Sequence, residues 1–333
     1  MTWLAWRQFR TQFWVVLALL SALAVVLVVA RPGLIQMYED SGLATCTESC
    51  GALADSFLTR VGRAAHGNLY YLGVGAMLGL PALLGTFWGA PLVARELEVG
   101  THRLVWNQSV TRTRWLTVKL LMGGLGSMAA AGLISLAVTW WAGPIDTAAM
   151  DRILPHLFAA RGLVPMGYAA FAFAVGVTAG LLIRRTLPAM AVTLVVVAVA
   201  QLVMPFLVRP NIITPVHKVM PVDTEELETF GIDSESRVWL VGKVDEPGAW
   251  VISNETVTAT GEPFTATNPE ACGRHAGPRA CREWVGSLNL QQDVYYQPAS
   301  RFWPLQWIET ALLLTIAGGL GGFCFWWLRR RLS

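Results

Sequence analysis

The stretch Leu187-Pro-Ala-Met-Ala-Val-Thr-Leu-Val-Val-Val-Ala-Val-Ala-Gln-Leu-Val-Met-Pro-Phe-Leu-Val208 carries no charged side chain in 22 residues. As a helix it rises about 33 Å at 1.5 Å per residue, enough to cross the roughly 30 Å hydrocarbon core of a bilayer. Hydrocarbon offers no partner to backbone N–H and C=O groups, so only a helix or a closed barrel satisfies such a run there. Arg184 and Arg185 precede it and Arg209 follows, so charge brackets the apolar block on both sides.

Five further blocks read the same way: Thr11–Ala30, Leu69–Val93, Trp115–Trp141, Gly162–Ile183 and Pro304–Leu328. Lys119 and Glu309 are their only charges. Across all 333 residues, 54% are hydrophobic, 14% are charged and the mean hydropathy is +0.48. A soluble domain carries about 25% charged residues. The composition therefore excludes a soluble globular domain, a disordered chain, a nucleic-acid binder and a disulfide-stapled miniprotein. The first block follows Arg7 and Arg10 but is longer than a signal-peptide core and lacks a clean Ala-x-Ala before Arg31. It reads as a retained signal anchor. The expected fold class is an all-α polytopic membrane protein with six transmembrane helices. A small mixed, β-containing extracytoplasmic domain is expected between helices 5 and 6. The second and third blocks exceed one flat crossing, so their inner ends are expected to continue into the interface.

Six crossings put both termini on one side, and the basic residues say which. One side collects Arg7, Arg10, Arg95, Arg103, Arg112, Arg114, Lys119, Arg184, Arg185, Arg329, Arg330 and Arg331 against Glu96 and Glu98. The other side is net acidic. The termini are therefore placed in the cytoplasm. Trp14, Trp88, Trp115 and Trp326 fall near inner ends, Trp140, Trp141 and Trp303 near outer ends, where indole rings favour the headgroup level. Thr2–Gln12 sets Trp3, Leu4, Trp6 and Phe9 against Arg7, Gln8 and Arg10, the pattern of an amphipathic helix in the membrane plane. The organisation is then an interfacial helix over 1–12, helices 1–5 over 13–208, an extracytoplasmic domain over 209–303, and helix 6 with a basic tail over 304–333.

Four of the five cysteines fall in the two outer loops. In an oxidising compartment they suggest two disulfides, with the local pairing Cys46–Cys50 and Cys272–Cys281 preferred among three. A zinc site on Cys272, His275 and Cys281 lacks an evident fourth ligand, so no metal is expected. A loop as long as 209–303 should fold on its own. Ser236–Val241, Trp250–Ser253, Thr256–Thr260 and Asp293–Tyr296 read as strands, and Asp223 as the cap of a short helix through Glu228. Leu53–Val61 in the first outer loop reads as helix.

The inner loop 94–114, continued to Lys119, is Ala-Arg-Glu-Leu-Glu-Val-Gly-Thr-His-Arg-Leu-Val-Trp-Asn-Gln-Ser-Val-Thr-Arg-Thr-Arg-Trp-Leu-Thr-Val-Lys. Leu97, Leu104 and Val105 line one side of an expected interfacial element, and Gly100-Thr101 breaks it. Two carboxylates in an otherwise basic loop weigh against a plain lipid anchor. The pattern Glu96-x-Glu98-x-Gly100-Thr101, then Ser109-x-x-Arg112, then Lys119 at the start of a span, resembles the loop between helices 2 and 3 of ABC-2 type permeases. These are the membrane subunits of ABC exporters. Their usual proline before Ser-x-x-Arg is Gln108 here. The resemblance covers the six-helix topology and about 26 residues of motif, not the ectodomain. It implies a coupling helix that docks on a separate ATPase through Arg95, Glu96, Glu98, Gly100, Thr101, Arg103 and Arg112. It also implies a homodimer or heterodimer of permeases, with ATP and Mg2+ on the partner subunit and no cofactor on this chain.

The chain has no phosphate loop and no catalytic constellation, so no catalytic residue is expected. Glu309 and Gln201, polar groups inside spans, are candidates for a substrate path. Glu309 alternatively pairs with Arg209 or Arg301, or snorkels to the outer interface, and Gln201 alternatively bonds across helices. Gly123-Gly124-Leu-Gly126, Gly176-x-x-x-Gly180 and Gly318-Gly319-Leu-Gly321-Gly322 read as helix-packing seams. Pro81, Pro165 and Pro205 are candidate kinks. Arginine outnumbers lysine 22 to 3, suggesting a GC-rich bacterium and its plasma membrane. The expected function is the permease subunit of a bacterial ABC exporter for a hydrophobic or amphipathic drug, antibiotic, lipid or peptide. The alternative is a membrane sensor or scaffold with a ligand-binding ectodomain.

Overall fold

A computed structural model describes residues 2–48, 50–100, 111–223, 227–232, 237–244, 246–272 and 278–331. The chain forms two compact units, Met1–Ile212 with Phe302–Ser333, and Ile213–Arg301.

The first unit is helical. It contains α1 Thr2–Asp40, α2 Gly51–Arg63, α3 Ala65–Leu84, α4 Ala90–Val99, α5 Arg112–Ala149, α6 Pro155–Ala160, α7 Val164–Ile183, α8 Thr186–Val203, α9 Arg209–Ile212 and α12 Phe302–Arg331. A π-helical turn, Gly85–Gly89, joins α3 to α4, and a second, Met204–Val208, joins α8 to α9. Among the described residues six helices are long and apolar enough to cross a membrane. They fall on the six expected blocks; five overrun them, while α7 lies within the expected Gly162–Ile183. α1 continues through Pro32 to Asp40, and α5 through Pro144 to Ala149. α1 also passes Gln12 without a break.

α7 is the centre of the unit: 83% of its apolar window is buried, against 6% for α1. It packs on α3, α4, α5, α8 and α12. Small residues permit this. A side chain at Gly176 would collide with the Gly85 carbonyl, and one at Gly180 would sit 2.6 Å from the Ala90 carbonyl. The Gly176-x-x-x-Gly180 seam is therefore a backbone-to-backbone contact with the π turn and α4. Gly123 likewise admits the Phe173 ring. Gly318, Gly319 and Gly322 meet nothing within 4 Å, so that third cluster is not a seam within this chain. Pro165 lies in the first turn of α7, where a missing N–H costs nothing, and makes no kink. Pro205 sits in the second π turn.

At the other end of the bundle Phe57 and Val61, four apart on α2, pack with Leu34 of α1 and Tyr70 of α3. The Arg31 guanidinium lies 3.7 Å from the Trp140 ring centroid and donates to the Trp140 carbonyl at 2.8 Å, joining α1 to α5. The Cys46–Cys50 disulfide closes the turn between α1 and α2.

Among its described residues the second unit holds six strands in two three-stranded antiparallel sheets. β1 Val216–Pro221, β6 Gln291–Gln297 and β4 Trp250–Val257 form one in the order β1-β6-β4. β2 Leu227–Ile232, β3 Arg237–Gly242 and β5 Ala266–Thr267 form the other. α10 Pro269–Cys272 and α11 Pro278–Ser287 cover a core of Val238, Leu240, Val285 and Leu290, and the Cys272–Cys281 disulfide is buried there. Two expectations are corrected. Trp250–Ser253 and Thr256–Thr260 are not two strands: β4 runs from Trp250 to Val257 with a bulge between Val251 and Ser253. Leu227 and Glu228 belong to β2, not to a helix capped by Asp223, because pairing with β3 outweighs local helix preference.

Candidate functional site

Buried charged side chains in the bundle collect at its two ends. At the first, α4 brings its inward positions Val93 and Ala94 against α7, which turns Glu96 toward α5. Trp115 and Lys119, four apart on α5, present one face to it. Lys119 Nζ lies 2.6 Å from Glu96 Oε1 and donates to the Leu92 carbonyl at 2.9 Å. Trp115 Nε1 donates to Glu96 Oε2 at 3.1 Å. Lys119, only 4% exposed, is thus neutralised and hydrogen-bonded, the condition under which a buried cation is tolerated.

Glu98, two residues on, reaches a third helix. Its Oε2 accepts from the Thr186 backbone N–H at 2.9 Å and the Thr186 hydroxyl at 2.6 Å. The first N–H groups of a helix lack intrahelical partners and carry the positive end of its dipole. A carboxylate from α4 therefore caps α8. Gly100, with φ +76°, ends α4 in the left-handed conformation that favours glycine. The two acids sought as docking groups are thus engaged inside the chain and fasten α4 to α5 and α8. Glu98 keeps an exposed side chain, as do Arg95, Arg114, Arg184 and Arg185, with Arg112 half-buried. Thr101 and Arg103 lie outside the described residues.

The opposite end is a network of buried charge. Glu309 does not snorkel: it is 0% exposed and takes Arg209 Nε at 2.7 Å and Nη2 at 3.0 Å. Arg209 also donates to the Pro155 carbonyl at 3.0 Å and lies over the Phe158 ring. Arg301, the other expected partner, instead donates to the Thr214 carbonyl and to Gln297. Gln306, three residues before Glu309, accepts from the Leu163 and Val164 N–H groups, both at 2.9 Å. It donates to the carbonyls of Phe158 and Arg161. One amide thereby fixes the α6–α7 turn against α12. Gln201 donates to the Leu78 carbonyl at 2.5 Å, a bond from α8 to α3.

A second buried pair escaped sequence reading. Arg161 Nε lies 3.2 Å from Asp146 Oδ2 and its Nη2 3.3 Å from Oδ1, with the Tyr70 hydroxyl donating to Oδ1 at 3.4 Å. Both acid and base read as ordinary loop charges flanking a turn. The usable signal was the i, i+3 pair Gln306 and Glu309, which marks a polar face on an apolar helix. Nearby Asp151 Oδ1 accepts from no donor, and burial pushes its carboxyl above the usual range.

A family model described as ABC-2 membrane transporter related matches residues 17–209. The chain belongs to that family. The matched segment runs from α1 to the first residue of α9 and includes the whole Glu96 end. It stops before the β unit and α12. No curated protein and no solved structure matches the chain. Membership points to a multi-pass membrane protein of the ABC permease kind rather than an enzyme, and such proteins usually work with an ABC ATPase.

Proposed function

We propose that the chain is the permease subunit of a bacterial ABC exporter, moving a hydrophobic or amphipathic molecule outward with energy from a separate ATPase. Family membership supports the permease class. The observation that carries the coupling is the double fastening of α4, by Glu96 to Lys119 and by Glu98 to Thr186. An ATPase docked on residues 94–114 would move three spanning helices as one block. Glu96 and Glu98 serve by holding that block together, while Arg95, Gly100, Thr101, Arg103 and Arg112 meet the partner. The excess of arginine at this end supports its placement in the cytoplasm of a bacterial plasma membrane.

Two copies, or this chain and a sister, form the pathway; ATP and Mg2+ belong to the motor. Glu309 and Gln201 act in the wall of the path, as ties between helices. The test is a mild-detergent pull-down of the tagged full chain from its host, with mass spectrometry of the eluate. A near-stoichiometric ATPase with a phosphate loop is expected. Glu98→Ala should keep the ATPase bound and lose its stimulation by cargo, whereas Arg95→Glu should weaken the complex. A clean preparation without any ATPase overturns the reading and favours a sensor with a ligand-binding ectodomain.

A further inference from the structure

A cleft of about 460 Å3 opens on the side of the bundle between α5, α7 and the start of α12. Its floor is one face of α5: Ala129, Gly132, Leu133 and Leu136 follow the i, i+3, i+4, i+7 spacing. Met166 forms part of the far wall and Trp303, half-exposed, stands at one end. The lining is almost wholly apolar. Gly132 keeps the floor low, since a Cβ there would come within 3.2 Å of the Met166 sulfur.

Length and depth select the occupant. From Ala129 to Thr139 the cleft follows α5 for about 15 Å at 1.5 Å per residue, half of the roughly 30 Å hydrocarbon core. Thr139 adjoins Trp140 and faces the same cleft as Trp303, and such indoles mark the headgroup level. The cleft therefore runs from one interface to the midplane, the depth of a single leaflet. Its volume over that length gives a cross-section of about 30 Å2, room for one extended hydrocarbon chain. A helix of a second copy, about 10 Å across, is too wide to enter.

Two polar side chains break the apolar lining: Ser135, whose hydroxyl donates to the Gly162 carbonyl at 3.1 Å, and Thr139 at the interfacial end. The Thr139 hydroxyl is buried and has no hydrogen-bond partner, although a helical threonine ordinarily donates to the carbonyl four residues back. An unmade hydrogen bond in hydrocarbon is costly. The ester oxygens of a phospholipid lie at this depth, between chain and headgroup.

We propose that this cleft is a phospholipid site, holding one acyl chain along α5 from Thr139 to Ala129, with the buried Thr139 hydroxyl turning into the cleft to donate to an ester oxygen. The site does not depend on the exporter reading: it stands or falls whether or not an ATPase binds the other end.

The full chain in vesicles of phosphatidylglycerol bearing a mid-chain diazirine provides the test. After irradiation and digestion, adducts on Leu133, Leu136 and Met166 should exceed those on the exposed α1 residues Leu19, Val26 and Val29 by about tenfold. The α1 face reports ordinary annular lipid in the same sample. Ala129→Trp fills the deep end from an exposed position and should bring cleft labelling down to the α1 level. Leu136→Trp, also from an exposed position, is the second variant should the first fold poorly. Detergent-purified wild type should retain about one phospholipid per chain, and both variants should lose it. Equal labelling of the cleft and α1 in wild type would overturn the proposal, as would an unlabelled cleft.

Discussion

Removing the Glu309 charge alone should cost the bundle more than any other single change at that end. Glu309→Leu would leave the Arg209 guanidinium fully buried, with only the Pro155 carbonyl and the Phe158 face as company. Opposite charges about 4 Å apart attract by about 4 kcal/mol at an effective dielectric constant of 20. That agrees with the 3–5 kcal/mol lost when one member of a buried pair is removed. At roughly 2–4 °C per kcal/mol for a unit of this size, the Tm of the purified full chain should fall by about 10 °C. Arg209→Met alone should do the same, since it strands the carboxylate. The double variant Arg209→Met/Glu309→Leu should return close to wild type, because an apolar pair needs no solvation in that position. Fluorescence-monitored unfolding of the four proteins in one detergent completes the cycle. Single variants within about 1 °C of wild type, or a double variant below both singles, would refute the view that mutual neutralisation holds α9 to α12.

Other expectations follow from the same geometry. Gly176→Ala forces backbone apart at the π turn and should cost about 1–3 kcal/mol, while Gly318→Ala, in open space inside α12, should leave Tm unchanged or raise it by the helix preference of alanine, about 0.5–1 kcal/mol. Lys119→Met strands Glu96 beside Trp115; a stability loss of about 1–3 kcal/mol is expected, and Glu96→Gln with Lys119→Met should recover part of it in the same unfolding assay. The Asp151 carboxyl is raised by burial, so the native state binds its proton more readily than the unfolded state. Stability attached to this group is then greatest in acid and falls as pH climbs from the ordinary carboxylate range through the raised native value. Asp151→Asn should accordingly raise Tm at pH 7 and change nothing near about pH 3.5. Cys272→Ser/Cys281→Ser opens a nine-residue separation and should destabilise the β unit by about 2–3 kcal/mol, read as faster proteolysis between Ile213 and Arg301.

The bundle was legible because each span is a long run with charge at its borders, and because hydrocarbon leaves the backbone few options. Gly176 and Gly180 announced a close approach by spacing alone, and both disulfides followed from pairs close in sequence. The partners of that approach were not legible: nothing marks Gly85 and Gly89 as the opposing ridge until the π turn is seen. Asp146 and Arg161 were hidden for a different reason. Charges at the borders of a span look the same whether they face headgroups or fold back onto each other, and their pairing depends on α6 and on Tyr70. The β unit was read poorly in its first half, where β1 carries His217, Lys218 and Pro221 and owes its strand to the ladder with β6. Glu96 and Glu98 stood out as acids in a basic stretch, but spacing says nothing of which neighbour takes a carboxylate.

The π turn at Gly85–Gly89 has a consequence for everything after it. Compared with an unbroken α-helix it holds one residue more, and each residue of a helix advances its face by about 100°. The turn therefore acts as a phase shifter. Without it, α4 would still continue from α3, but Glu96 would point about a quarter of a revolution away from Lys119, and Glu98 would miss the first turn of α8. The extra residue is held in place by Gly176, where only a hydrogen fits against the Gly85 carbonyl. A contact seven or more residues upstream, between two backbones deep in the bundle, thus sets the azimuth of the carboxylates at its end.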